Sequence, residues 1–196
     1  MHNVYMHHSR SFLFVLGSAR ADGNTELLAR RAAEQLPDDT RQRWLRLTDL
    51  PIPPFQDRRH LGDGVYPRAV GNARTLLEAT AEATDLVIAS PLYWYAMSAE
   101  TKRYLDEWSA WLRTPDTNFR ARMAGGTLWG VSALASSDPS DADPLVGTLE
   151  KTAAYMKMRF GGVLLGNGSR PGDMLRDEEA LRNAKTFFSP IPAPVG

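Results

Sequence analysis

The 196 residues suffice for one ordinary α/β domain with a full hydrophobic core. Their 23 basic and 23 acidic side chains cancel, which removes the long-range field that draws a protein to nucleic acid or an anionic membrane and points instead to a small-molecule partner. None of them is cysteine, so disulfides, thiolate metal ligands, Fe–S clusters and Cys-nucleophile chemistry are excluded.

In chain order, residues 1–9 read as a polar arm, expected to be disordered. Its His2, His7 and His8 could meet a metal, but an arm lacks the surrounding groups that orient ligands, so no metal site is expected. Residues 12–16 form a first strand. Arg10, the apolar run behind it and Ala19-Arg20-Ala21 mimic a signal peptide. A buried parallel strand is an equally short apolar run, and the Gly-Ser-x-x-x-x-Gly-Asn-Thr that follows favours the strand. No run approaches the roughly 20 apolar residues of a membrane span, and the expectation is a cytoplasmic protein. A helix follows over 25–36, with Leu27, Leu28, Ala32 and Leu36 at helical spacing, and Pro37 closes it. A second strand is placed at 43–47, ahead of a Pro-rich connection at 50–55 that runs over the surface to about residue 66.

Pro67 suits the first turn of a helix over 67–83, and 85–90 is a clear buried strand. Ser98 is a fitting N-cap for a helix to about 112, with Thr101 where a capping-box Glu would stand. Residues 126–131 form a fourth strand, opening into a loop with Asp138, Asp141 and Asp143, read as a solvated acidic stretch. A helix over 144–158, a short strand at 162–165, a helix over 177–188 and a Pro-rich tail at 190–196 complete the chain, leaving residues 10–189 as a single domain. Strands alternating with helices indicate a parallel sheet covered on both faces, with a ligand outside the carboxyl ends of the strands.

Two strand-end loops carry chemistry. Residues 17–25, Gly-Ser-Ala-Arg-Ala-Asp-Gly-Asn-Thr, join a buried strand to a helix, where unpaired N–H groups and the positive end of the helix dipole receive an anion. There is no G-x-x-x-x-G-K-[ST] lysine and no G-x-G-x-x-G, so a terminal monophosphate fits better than a triphosphate or a dinucleotide. The second loop, Ser90-Pro91-Leu92-Tyr93-Trp94-Tyr95-Ala96-Met97, sets three aromatics at a carboxyl edge, half exposed unless a flat amphipathic ring covers them. His60 and Ser169 read as surface or turn residues without partners for triad chemistry.

Together, Gly17-Ser18-x-Arg20 with Gly23-Asn24-Thr25, the Leu50-Pro51 connection, Pro91-Leu92-Tyr93-Trp94 and Met97-Ser98-x-x-x-Lys102-x-x-x-Asp106 resemble the NAD(P)H-dependent FMN reductase family of flavodoxin-like proteins, which includes quinone and azo-dye reductases. The resemblance runs over residues 12–165. It implies a flavodoxin-like α/β/α sandwich of three layers with a five-stranded parallel sheet in the order 2-1-3-4-5. It also implies FMN, with its phosphate held by Ser18, Arg20, Asn24 and Thr25, its isoalloxazine along Pro91, Leu92, Tyr93 and Trp94, and a third loop beside it that includes Ser132 and Ser136. The expected reaction passes hydride from NADPH or NADH to the flavin, and electrons then leave to a small-molecule acceptor such as a quinone, an azo compound or free flavin. No catalytic side chain is needed, since the cofactor carries the chemistry. Where many members have Asp-Arg, this chain has Asp106-Glu107-Trp108. The alternative is a flavodoxin-type electron carrier that does not oxidise NAD(P)H; such carriers present an acidic docking face, which a net charge of zero disfavours. A stripe of Tyr104, Trp108 and Trp111, with Leu105 and Leu112 beside it, suggests a subunit interface of a homodimer or homotetramer.

Overall fold

Near-continuous apolar runs mark strands buried on both faces, and the computed structural model, which describes residues 10–190, places three of them at the centre of one parallel sheet. These are β1 (Ser11–Leu16), β3 (Asp85–Ala89) and β4 (Thr127–Leu134), flanked by β2 (Arg41–Arg46) and β5 (Arg159–Asn167) in the order β2-β1-β3-β4-β5. This is the expected flavodoxin-like order. The arm at 1–9 with its three histidines, and tail residues 191–196, lie outside the described residues.

Side-chain alternation along the strands divides the core between two helical layers. Leu13, Val15, Leu86, Ile88 and Leu128 pack against α2 (Gly71–Glu82), α3 (Ala99–Trp111) and α5 (Asp143–Tyr155). Phe12, Phe14, Leu16, Val87, Trp129 and Val131 pack against α1 (Asn24–Ala33) and α6 (Glu178–Ala184). The aromatics Tyr104, Trp108 and Trp111 are almost fully buried in the first of these layers. They therefore fill the core of a single chain, and their stripe is no sign of an interface. The Tyr104 hydroxyl lies 2.6 Å from Thr80 Oγ1, and burial raises its pKa.

Several boundaries move. Helix α2 begins at Gly71 because Gly71, at φ 55, turns the chain in the left-handed region and prevents the helix from reaching back to Pro67. The five-residue α4 (Phe119–Met123) stands where no helix was expected; it is too short for periodicity to reveal. Strand β5 spans nine residues, so it pairs with β4 as far as Leu134, beyond the expected end at 131. Among the described residues, no helix is long and apolar enough to cross a membrane.

Candidate functional site

The first loop leaves β1 at Gly17, whose N–H donates to Ala89 O at 2.8 Å. A Cβ on Gly17 would lie 1.8 Å from Thr101 Oγ1, so glycine alone lets the loop pass against the first turn of α3. There Ser98 acts as the expected N-cap: its Oγ accepts from Thr101 N at 3.2 Å and donates to Gly17 O at 2.7 Å. Ser18 Oγ turns back on its own loop, accepting from Arg20 N at 3.1 Å and donating to Arg20 O at 3.2 Å. The Arg20 side chain is exposed at the rim. Helix α1 starts from Gly23 with no side-chain cap, so the N–H groups of its first turn remain to be satisfied by something other than the chain's own side chains.

Asn24 and Thr25 are committed to the scaffold. Asn24 Nδ2 donates to Arg170 O at 2.9 Å, and Asn24 Oδ1 accepts from Gly172 N at 3.1 Å and Met174 N at 3.4 Å. What Asn24 has left for an anion is its backbone N–H. Thr25 Oγ1 accepts from Ala133 N at 3.2 Å, and its hydroxyl proton is still available.

The second loop closes as a hairpin turn. Tyr93 and Ala96 exchange backbone hydrogen bonds of 2.9 and 3.0 Å across Trp94 and Tyr95. Both central residues have positive φ, 49 and 63, the pattern of a type I′ turn that usually falls to Asn-Gly. Trp94 is 94% exposed, and Tyr93 and Tyr95 are more than half exposed. Pro91 and Leu92 are half-buried at its base, where Ser98 N donates to Ser90 Oγ at 2.9 Å.

Ala133 near the end of β4 joins the two loops: its N–H goes to Thr25 Oγ1, and its carbonyl accepts from Leu92 N at 3.2 Å. Ser132 lies within β4 and not in the loop after it, fully buried, with an Oγ that has no partner among the described residues. Ser136 is in the third loop, where its carbonyl accepts from Asn167 Nδ2 at 2.6 Å and its Oγ from Asp138 N at 3.1 Å. Asp138 in turn caps a short 3-10 turn through Ser140 N at 2.9 Å. A cavity of about 860 Å³ along the free edge of β5 touches the third loop at Leu134 and Ser136 but includes no residue of 17–25 or 91–97. With Arg20 exposed on one side and Tyr93, Trp94 and Tyr95 exposed on the other, the two loops frame an open shelf.

Two residues in the first loop's support went unnoticed in the sequence. Glu26, in the first turn of α1, is buried; its carboxylate accepts from Asp22 N at 3.1 Å, Arg30 at 2.7 Å and Arg46 at 2.6 Å. Burial alone would raise its pKa, but the Arg46 and Arg30 guanidiniums hold it below the usual carboxylate range. An acidic residue three places after the cap is a capping-box position, and that was the available signal. Arg46 has no local signal: it reaches the loop only because the last residue of β2 pairs with Leu16.

The chain is 32% identical over 173 residues to YwqN of Bacillus subtilis, named as an NAD(P)H-dependent FMN-containing oxidoreductase, covering 88% of this chain and 93% of that protein. It is also 25% identical to the iron-sulfur flavoprotein MJ1083 of Methanocaldococcus jannaschii, over 88% of this chain and 91% of that one. Among solved structures, the Trp repressor binding protein of Bacillus subtilis superposes with a TM-score of 0.73 at 26% identity, covering 92% of this chain and 99% of that one. An FMN-dependent NADH-azoreductase from Bacillus anthracis, solved in complex with FMN, shares the fold with a TM-score of 0.58 at 11% identity, over 90% and 96% of the two chains. Residues 11–157 match the model of the NADPH-dependent FMN reductases, and the chain belongs to that family of flavin oxidoreductases.

Proposed function

We propose that this chain holds FMN on the shelf between its two strand-end loops, takes hydride from NADPH or NADH and delivers electrons to a small acceptor such as a quinone, an azo compound or free flavin. The observation that carries the reading is the joint at Ala133, which brings an uncapped helix N-terminus and an exposed aromatic turn to one edge of the sheet. The residues fit the cofactor at both ends. The first-turn N–H groups of α1, the Thr25 hydroxyl and exposed Arg20 suit a phosphate. Pro91, Leu92, Tyr93 and Trp94 suit a flat ring.

When bound, FMN supplies the hydride-accepting centre and hands electrons onward. The chain's own part is positional: the turn at 91–97 orients the ring, and the open shelf gives a nicotinamide and then an acceptor access to the same face. Ser136 is held in the third loop by the Asn167 clasp, and Ser132 stands in β4 one residue before the Ala133 joint, its buried hydroxyl unpartnered among the described residues.

A visible absorption spectrum of the purified protein, taken before and after anaerobic NADPH addition, tests the reading. Flavin bands that bleach on addition are expected; a protein that stays colourless after incubation with FMN contradicts it. With a quinone as acceptor, a shared face predicts parallel double-reciprocal lines, and intersecting lines count against it. Half-buried Leu105 and Leu112, which line a groove between α3 and α5 together with exposed Tyr155, supply the surface for the homodimer or homotetramer, which light scattering on the eluting protein tests.

A further inference from the structure

We infer that Arg46, together with Glu26, is the positioning pair that holds the phosphate loop in its anion-receiving shape; this rests on the FMN reading above. Arg46 Nη1 donates to Arg20 O at 3.2 Å and Ser18 O at 3.4 Å, while its Nη2 donates to Glu26 Oε2 at 2.6 Å. A trans peptide points its N–H opposite to the carbonyl it carries. Drawing the carbonyls of Ser18 and Arg20 towards Arg46 therefore turns the N–H groups of Ala19 and Ala21 away from it, to the other side of the loop. These two donors join those of the first turn of α1.

Glu26 completes the clasp from α1. The same carboxylate that anchors Arg46 accepts Asp22 N, and Asp22 sits at φ 53, a left-handed conformation that needs support. Strand β2 and helix α1 thus grip the loop at residues 18, 20 and 22. The planar guanidinium suits this work, since its fork of donors meets two carbonyls and a carboxylate at once, which a lysine ammonium cannot do in the same geometry. The carboxylate would repel a phosphate if it stood alone, but Arg30 and Arg46 flank it, so the clasp does not charge the loop against its ligand.

The test separates geometry from charge and from general damage. The double variant Glu26→Gln/Arg46→Met removes one negative and one positive charge, leaving net charge unchanged and no uncompensated buried ion. Apoprotein of this variant and of the wild type is titrated with FMN and, separately, with riboflavin, which carries the same ring and no phosphate. FMN affinity is expected to fall about 10-fold or more, the equivalent of one lost hydrogen bond to a charged group, while riboflavin affinity stays within about 2-fold. Equal losses for both ligands, or none for FMN, overturn the positioning role. The single variant Arg46→Lys gives a second reading, in which recovery of wild-type FMN affinity overturns the geometric argument. A wild type that binds neither flavin removes the functional reading itself, an outcome distinct from the others.

Discussion

At Gly17 the distance between the first loop and α3 leaves room for a hydrogen atom and nothing larger. Gly17→Ala would set a methyl 1.8 Å from Thr101 Oγ1 and 3.2 Å from Thr101 Cβ, and we expect a loss of about 1–3 kcal/mol in urea denaturation. Thr101→Ala in the same chain should recover part of it, because the hydroxyl is the nearer obstacle. Glu26 gives a pH signature. Its folded pKa lies below the unfolded value of about 4.3, so its paired carboxylate contributes stability that is fully present above that value and is lost as pH falls through the folded one. Stability curves from pH 7 to pH 3 should fall more steeply for the wild type than for Glu26→Gln, and parallel curves would contradict the pairing. The sequence showed Ser98 as a cap and the loop's strand-to-helix setting. It did not show that Asn24 spends its amide on residues 170–174, because a contact so far along the chain leaves no local trace.

The aromatic turn shows a conflict between local preference and use at the scale of an element. Two aromatic residues in the left-handed region cost on the order of 1 kcal/mol each relative to residues that adopt it readily. Replacing Trp94 and Tyr95 by Asn and Gly should therefore raise stability by about 1–2 kcal/mol and weaken flavin affinity, measured by denaturation and by fluorescence titration of the apoprotein. A stable variant that binds FMN as well as the wild type would show that the aromatics serve something else. Central strands β1, β3 and β4 were legible because burial on both faces writes itself as apolar runs. The true length of β5 was less so, since Gly161 and Gly162 interrupt the pattern and Gly161 is an extra residue in β5 where the pairing shifts between Leu128 and Trp129. Gly161 is required there, as a Cβ would lie 2.2 Å from the Trp129 ring.

On the scale of the whole molecule, a buried polar cluster stands at the end of the sheet opposite the two strand-end loops. At the amino ends of the strands, buried Asp85 accepts Trp129 Nε1 at 2.9 Å, Thr84 Oγ1 at 2.8 Å and the Arg10 guanidinium at 2.5 and 3.0 Å, while Arg10 also reaches Phe188 O at 2.6 Å. That cluster ties both ends of the described chain to the central strand, at the opposite end of the sheet from the shelf. Asp85→Asn should cost about 2 kcal/mol in denaturation, the scale of a lost hydrogen bond to a charged group, and leave FMN affinity unchanged; a matching loss of affinity would show that the two ends are coupled. The layer arrangement followed from strand–helix alternation alone, whereas this cluster did not, because Arg10, Asp85 and Trp129 meet only once the sheet is assembled.

The Asn24 side chain joins the beginning of the molecule to a segment 146 positions later. During synthesis the first loop leaves the ribosome early, yet it lacks this clasp until residues 170–174 have followed it. A product released after β4 would carry Arg46 and Glu26 against the first loop but lack the Asn24 clasp, and we expect that loop to be less firmly fixed in it than in a chain that reaches residue 174.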